Sequence, residues 1–229
     1  VFGRSATYKN TQGTAICKVF GLTIGMTGAS EKSLKRAKVP CETIYVHAAS
    51  HASYYPGAFP IHLKLIFDPQ NGKILGAQAV GRDGVDKRID VLAVAIRAGL
   101  TVYDLEDLEL SYAPPYGSAK DPINYAGFIA ANVLREDVRI CHASDMVQPG
   151  KDQQILDVRA EGTTLSGLIP GAIHIPLENL RERLGELSKE KEYLVYCKVG
   201  LRGYLACRIL SQQGFQCKDL TGGYETYQA

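Results

Sequence analysis

The chain has 229 residues, 45% of them hydrophobic, with 26 basic against 24 acidic side chains and a formal net charge of +2. That balance suits a globular protein of one or two domains and, without a basic run, leaves no electrostatic footprint for nucleic acid. Apolar runs stop well short of the ~20 residues a membrane span needs, and no signal peptide opens the chain, so a cytoplasmic setting is expected.

In chain order, residues 14–20 and 22–27 alternate apolar and small side chains as two strands would, with Gly21 between them. Residues 31–38 read as a short basic helix stopped by Pro40, and 42–48 as a strand. The segment His51-Ala-Ser-Tyr-Tyr-Pro-Gly57 is rich in turn residues, yet too aromatic for a simple connector. Residues 61–68 and 73–80 flank Pro69-Gln-Asn-Gly72, a strong hairpin signal, and point to an antiparallel meander. Residues 86–98 form an amphipathic helix ended by Gly99, Thr101 caps another through Leu108, and Pro122 opens a third that runs to Leu134. Residues 137–150 are more polar, end in Pro149-Gly150 and are expected to be a linker between domains at 1–136 and 151–229.

The second half turns on one stretch. Residues 193–197 read as a buried strand, and Lys198-Val-Gly-Leu-Arg-Gly203 leads directly into a helix over 204–213. Cys197 therefore sits at the mouth of a tight loop before a helix N-terminus. Gly200 and Gly203 allow amides to turn inward, and the helix dipole, Lys198 and Arg202 add positive potential. The thiol pKa is expected to fall and a nucleophilic thiolate to persist at neutral pH. The mixed-charge stretch 178–192 reads as a solvated helix face. Six cysteines without a Cys-x-x-Cys pair argue against a zinc site or a disulfide framework, and His47 and His51 lack companions for a metal. Cys17 and Cys207 are expected to be buried structural residues, with Cys217 a remote candidate to resolve Cys197.

The Cys-x-x-Gly-x-Arg-Gly loop resembles that of the rhodanese family. Ile155-Leu-Asp-Val-Arg159, the Pro-Gly-Ala turn at 170–172 and Leu220-Thr-Gly-Gly-Tyr224 are similar to that family's other motifs, with Tyr227 where a tryptophan is usual. The resemblance implies an α/β domain with a central parallel sheet, Cys197 as the sulfur-carrying nucleophile and Arg202 closing the loop. Lys198, Val199, Gly200, Leu201 and Gly203 would form its anion and persulfide cradle. Protein phosphatases also pair a cysteine with an arginine, but across five residues rather than the four present here. A phosphatase or arsenate-type enzyme and a regulatory module without turnover stay as alternatives.

A second resemblance covers the first half. Residues 11–20, Gly25-Met-Thr-Gly28, 51–57, Gly76-Ala-Gln-Ala-Val-Gly81 and 112–122 resemble the dimerisation domain of pyridine nucleotide-disulfide oxidoreductases, nearest the coenzyme A-disulfide, NADH oxidase and polysulfide reductase branch. It implies an α+β domain that forms a homodimer, with Tyr54 and Tyr112 facing the partner subunit's reductase site. Together the two halves resemble the C-terminal part of an NAD(P)H-dependent coenzyme A-persulfide or polysulfide reductase, a flavoprotein with a redox-active cysteine. FAD, NAD(P)H and coenzyme A are implied for that parent and none for these residues, which contain no Gly-x-Gly-x-x-Gly fingerprint. Polysulfide, persulfide or thiosulfate is the expected substrate.

Overall fold

A computed structural model describes residues 3, 5, 7, 8, 10–163 and 167–229. Strands β1 (Ala15–Val19), β2 (Leu22–Gly28), β3 (Glu42–Ala49), β4 (Pro60–Phe67) and β5 (Ile74–Gly81) form one antiparallel sheet in the order β1-β2-β5-β4-β3. It is not the expected simple meander. The β3-β4-β5 run is one, but β2 pairs with β5, placing the β1-β2 hairpin on the far side. Helix α1 (Glu31–Ala37) spans that crossing.

Helices α2 (Val85–Ala98), α3 (Val102–Asp107) and α4 (Pro122–Leu134) cover one face. Ile44, Leu63, Leu65 and Ala77 from the strands pack there with Leu92 and Ala130 from the helices. Asp121 ties this layer together. Its carboxylate accepts the Ile123 amide at the start of α4 and pairs with buried Arg88 of α2 at 2.7 Å, while Arg88 also donates to the carbonyls of Ser50 and Gly84. Each charge leaves water only because the other and the backbone replace its hydrogen bonds. Cys17, expected to be buried, is exposed, as is every residue of edge strand β1, since no layer covers it.

Strands β6 (Ile140–Cys141), β7 (Gln153–Asp157), β8 (Ile173–His174), β9 (Glu192–Tyr196) and β10 (Gln216–Leu220) make a parallel sheet in the order β6-β10-β9-β7-β8. Residues 137–150 are therefore not a linker. They supply β6 and helix α5 (Ala143–Val147), held by buried Val138, Cys141 and Met146, three apolar anchors hidden in a polar context. The charged stretch 178–192 forms 3-10 turns at Leu177–Asn179 and Leu184–Glu186 rather than a helix.

Alternation along β9 sends Tyr193 and Val195 into a core under α6 (Leu201–Gln212), and Leu194 and Tyr196 into an opposite core near α7 (Gly223–Gln228). A parallel sheet covered on both faces needs such uniformly apolar strands. The two domains meet at the free edge of β3. The Tyr45 amide donates to Thr221 Oγ1 at 2.9 Å, His47 Nε2 lies 2.7 Å from Thr226 Oγ1, and His142 pairs with Glu42 at 3.1 Å.

Candidate active site at the Cys197 loop

Cys197 directly follows β9, near the middle of the parallel sheet and at the C-terminal ends of its strands, where open α/β sheets place their ligand sites. The chain turns over residues 198–200 and enters α6 at Leu201, three residues earlier than the sequence suggests. Gly200 makes the turn at φ 113°, a conformation strained for any residue with a Cβ. Its amide donates to Cys197 Sγ at 3.2 Å. The Val199 and Gly203 amides add to the Gly200 donor in favouring the charged form of that sulfur.

The back of the loop is fixed separately. The amides of Tyr224 and Glu225, at the start of α7, donate to the carbonyls of Cys197 and Lys198 at 2.8 and 3.1 Å. The Leu220-Thr-Gly-Gly-Tyr224 motif thus holds the cradle from beneath. The loop's cations point outward: Arg202 lies 3.5 Å from Glu178 and Lys198 3.8 Å from Glu225, both largely exposed. Arg202 therefore stands at the rim rather than over the sulfur.

The electrostatic balance differs from the expectation. Cys197 is 2% exposed, and its thiol is pushed above its ordinary pKa, first by burial and second by Asp219, against the pull of the three amides. Desolvating a thiolate costs more here than those donors return. Asp219, on β10, was missed in the sequence. Its Oδ1 is buried with no hydrogen-bond partner among the described residues, and burial holds its carboxyl well above the usual range. Its push on Cys197 therefore operates only where it ionises. A signal existed: β10 places Cys217 and Asp219 on the same face, an acid among inward-pointing residues. A Cβ on Gly203 would overlap Asp219 Oδ1, so glycine there is a packing requirement as well as an amide donor.

The remaining expected residues are placed as follows. Leu201 is exposed at the first turn of α6. Tyr54 and Tyr112, 58 positions apart in sequence, bring their hydroxyls to 3.5 Å on the surface of the first domain. Tyr54 holds its proton more tightly because of that contact. Neighbouring Tyr55 instead lies edge-on to His51, and Tyr116 is exposed. His174 Nε2 donates to the Arg159 carbonyl at 2.8 Å, so that nitrogen carries the proton. Tyr227, in the place of the usual tryptophan, stacks on Tyr224, which stacks on Tyr196. No group of three or more potential metal ligands occurs among the described residues, and none of their helices is long and apolar enough to cross a membrane.

Comparison with known proteins follows the same division. Residues 14–121 match the family described as pyridine nucleotide-disulphide oxidoreductase, dimerisation domain, and residues 142–229 match the rhodanese-like domain family. A Staphylococcus aureus coenzyme A disulfide reductase is 43% identical over 123 residues, 54% of this chain and 28% of that protein. The structure of reduced Bacillus anthracis CoADR-RHD superposes with a TM-score of 0.92 at 49% identity, covering 96% of this chain and 40% of that one. A NAD-dependent persulfide reductase from A. fulgidus gives a TM-score of 0.87 at 40% identity, covering 98% and 41%. The chain thus spans well under half the length of each of these relatives.

Proposed function

Because this chain joins a pyridine nucleotide-disulphide oxidoreductase dimerisation domain to a rhodanese-like domain, we propose that it is the sulfur-transferring and dimer-forming part of a reductase acting on persulfides, polysulfides or coenzyme A disulfide. Its own reaction would be transfer of sulfane sulfur through Cys197. The observation that carries this reading is the placement of Cys197 between β9 and the start of α6, with the Gly200 amide donating to its Sγ at 3.2 Å.

In the reaction, Cys197 loses its proton and attacks the outer sulfur of the donor. With thiosulfate, a new S–S bond forms to Cys197, the donor's S–S bond breaks and sulfite leaves with the electron pair. The product is a Cys197 persulfide whose terminal sulfur carries the charge. The amides that now face Sγ are placed to meet that anion without reorganisation. Arg202 can turn from the rim toward the departing anion, because an exposed 3.5 Å pairing with Glu178 holds it by well under ~1 kcal/mol. An acceptor thiolate then takes the terminal sulfur and returns Cys197 as thiolate.

FAD and NAD(P)H would supply reducing equivalents in a longer parent, but they do not fit these residues. The glycine-bearing loop that opens onto a helix in the parallel-sheet domain is filled by Cys197 Sγ, and the sequence has no Gly-x-Gly-x-x-Gly run. For the first domain the reading is homodimerisation, with the Tyr54 and Tyr112 hydroxyls offered to the partner's reductase site. There a tyrosine hydroxyl would donate a hydrogen bond to a developing thiolate of coenzyme A or of a redox cysteine.

The test is direct. After incubation with thiosulfate or polysulfide and tryptic digestion, peptide 192–198 gains one sulfur atom, about 32 Da, and a cyanide or thiol acceptor removes it. Cys197→Ser shows neither the mass gain nor transfer; transfer persisting above a few per cent in that variant overturns the assignment.

A further inference from the structure

Two further thiols meet on the second domain. Cys207, on α6, and Cys217, on β10, are ten residues apart and pack in the same buried cluster. Cys217 Sγ also lies 3.5 Å from the Cys207 carbonyl. Both line a surface cleft of about 640 Å³ bounded by residues that include Asp137, Arg139, Arg208 and Phe215. Each residue is more than nine-tenths buried, so the cleft is their route to solvent. The pair is also asymmetric. Cys217 is the more accessible of the two and shares the cleft with Arg139, whereas burial holds the Cys207 thiol up. Cys217 is therefore the thiol an incoming disulfide meets first, with a guanidinium in the same cleft to favour its ionised form, and Cys207 is the second thiol that closes the bond.

We propose that Cys207 and Cys217 form a second redox site, a dithiol–disulfide couple that exchanges with low-molecular-weight disulfides entering through this cleft. The Cys217 thiolate attacks one sulfur of a small disulfide RSSR, forming a mixed disulfide and releasing the first RS⁻. The Cys207 thiol then loses its proton and attacks Cys217 Sγ, closing the Cys207–Cys217 bond and releasing the second RS⁻. Two protein thiols are oxidised and one disulfide is reduced to two thiols. The inference does not depend on sulfur transfer at Cys197. It also replaces the expectation that Cys217 resolves Cys197, because Cys217 shares its cleft and a hydrogen bond with Cys207 and neither with Cys197. The couple would bridge the two elements that shape the active loop: α6 carries the Gly203 amide, one turn before Cys207, and β10 carries Asp219, two residues after Cys217.

Tryptic cleavage separates every candidate. Cys207 falls in peptide 203–208, Cys217 in 209–218 and Cys197 in 192–198. The folded chain is equilibrated with glutathione disulfide and glutathione at a series of ratios, acid-quenched, alkylated and mapped without reduction. The expected result is a 203–208/209–218 cross-link lighter by two hydrogens, about 2 Da, that rises and falls in one two-electron transition and appears equally in Cys197→Ser. In Cys207→Ser the expected product is a glutathione adduct on Cys217 alone. Both thiols remaining free, single adducts in the unsubstituted chain, or a cross-link joining 192–198 to 209–218 each overturns the proposal. Loss of persulfidation on 192–198 with the cross-link intact would instead fault the Cys197 reading.

Discussion

Asp219→Asn tests the electrostatics behind the active loop. Asp219 is 7% exposed and its Oδ1 has no partner among the described residues, so burial keeps it protonated far above its unfolded value of 3.8. Above that value the unfolded chain releases this proton and the native chain retains it. The unfolded state then binds fewer protons, and stability falls as pH rises, by up to ~1.4 kcal/mol per pH unit for one group. The loss accumulates over whatever span burial has raised this carboxyl, so it grows from pH 5 upward. Asparagine has nearly the same shape and no proton to release. Its amide also needs partners in the same pocket, a penalty on the order of 1–3 kcal/mol that does not vary with pH. The slope, not the absolute difference, carries the information. Urea denaturation followed by tyrosine fluorescence, in a chain without tryptophan, should show the variant gaining on the unsubstituted protein steadily from pH 5 upward. A difference that is constant across that range, or one that shrinks, refutes a protonated Asp219.

Gly203→Ala should fail at the same spot for a different reason: its Cβ would overlap Asp219 Oδ1, overpacking costs about 1–3 kcal/mol, and the displaced amide leaves Cys197. A lowered melting midpoint together with loss of persulfidation is expected, and full activity at unchanged stability would contradict it. His47, at the domain boundary, is pushed down from 6.5 to about 4, chiefly by burial and then by His62. Since the unfolded ring takes a proton near 6.5 and the folded ring does not, stability is lost as pH falls from 6.5 toward 4. The full shift is worth about 3.4 kcal/mol, and partial exposure of the ring reduces that to roughly half. His142, raised by its hydrogen bond to Glu42, acts in the opposite direction, adding stability in acid that is lost as pH rises through its folded pKa. The comparison is therefore with His47→Gln, in which the acid loss should flatten; an identical pH profile would remove His47 from the boundary's account.

What the sequence made legible was whatever is local and periodic. The Asn-Gly turn, the Asp121-Pro122 helix start and the β9–loop–α6 passage each depend on a few adjacent residues, and each is present. The antiparallel order β2-β5 depends instead on partners some fifty residues apart, as does the contact between the Tyr54 and Tyr112 hydroxyls, which only the resemblance pointed to. The 137–150 segment misled because a two-residue strand and one helical turn carry too few apolar positions to show a period. The sharpest difference lies at Cys197 itself. Sequence shows the glycines and cations that favour a thiolate, and the Gly200 amide does face Sγ, but the pattern carries no sign that the same tight loop buries the sulfur. The donors and the burial have one cause, the closeness of the chain around Sγ, and they move its acidity in opposite directions. A loop built this way favours the charge more once it has moved one atom outward, onto the terminal sulfur of a persulfide, whose lower intrinsic basicity and greater reach relieve the desolvation that the bare thiolate suffers. The raised thiol thus supports a site tuned to its loaded form rather than to its empty one. Sulfur uptake should accordingly quicken as pH rises toward the thiol's pKa, while a persulfide already formed on Cys197 should resist protonation well below it. Alkylation rates of the free and the persulfidated protein, measured across pH, would separate the two, and coincident profiles would defeat this reading.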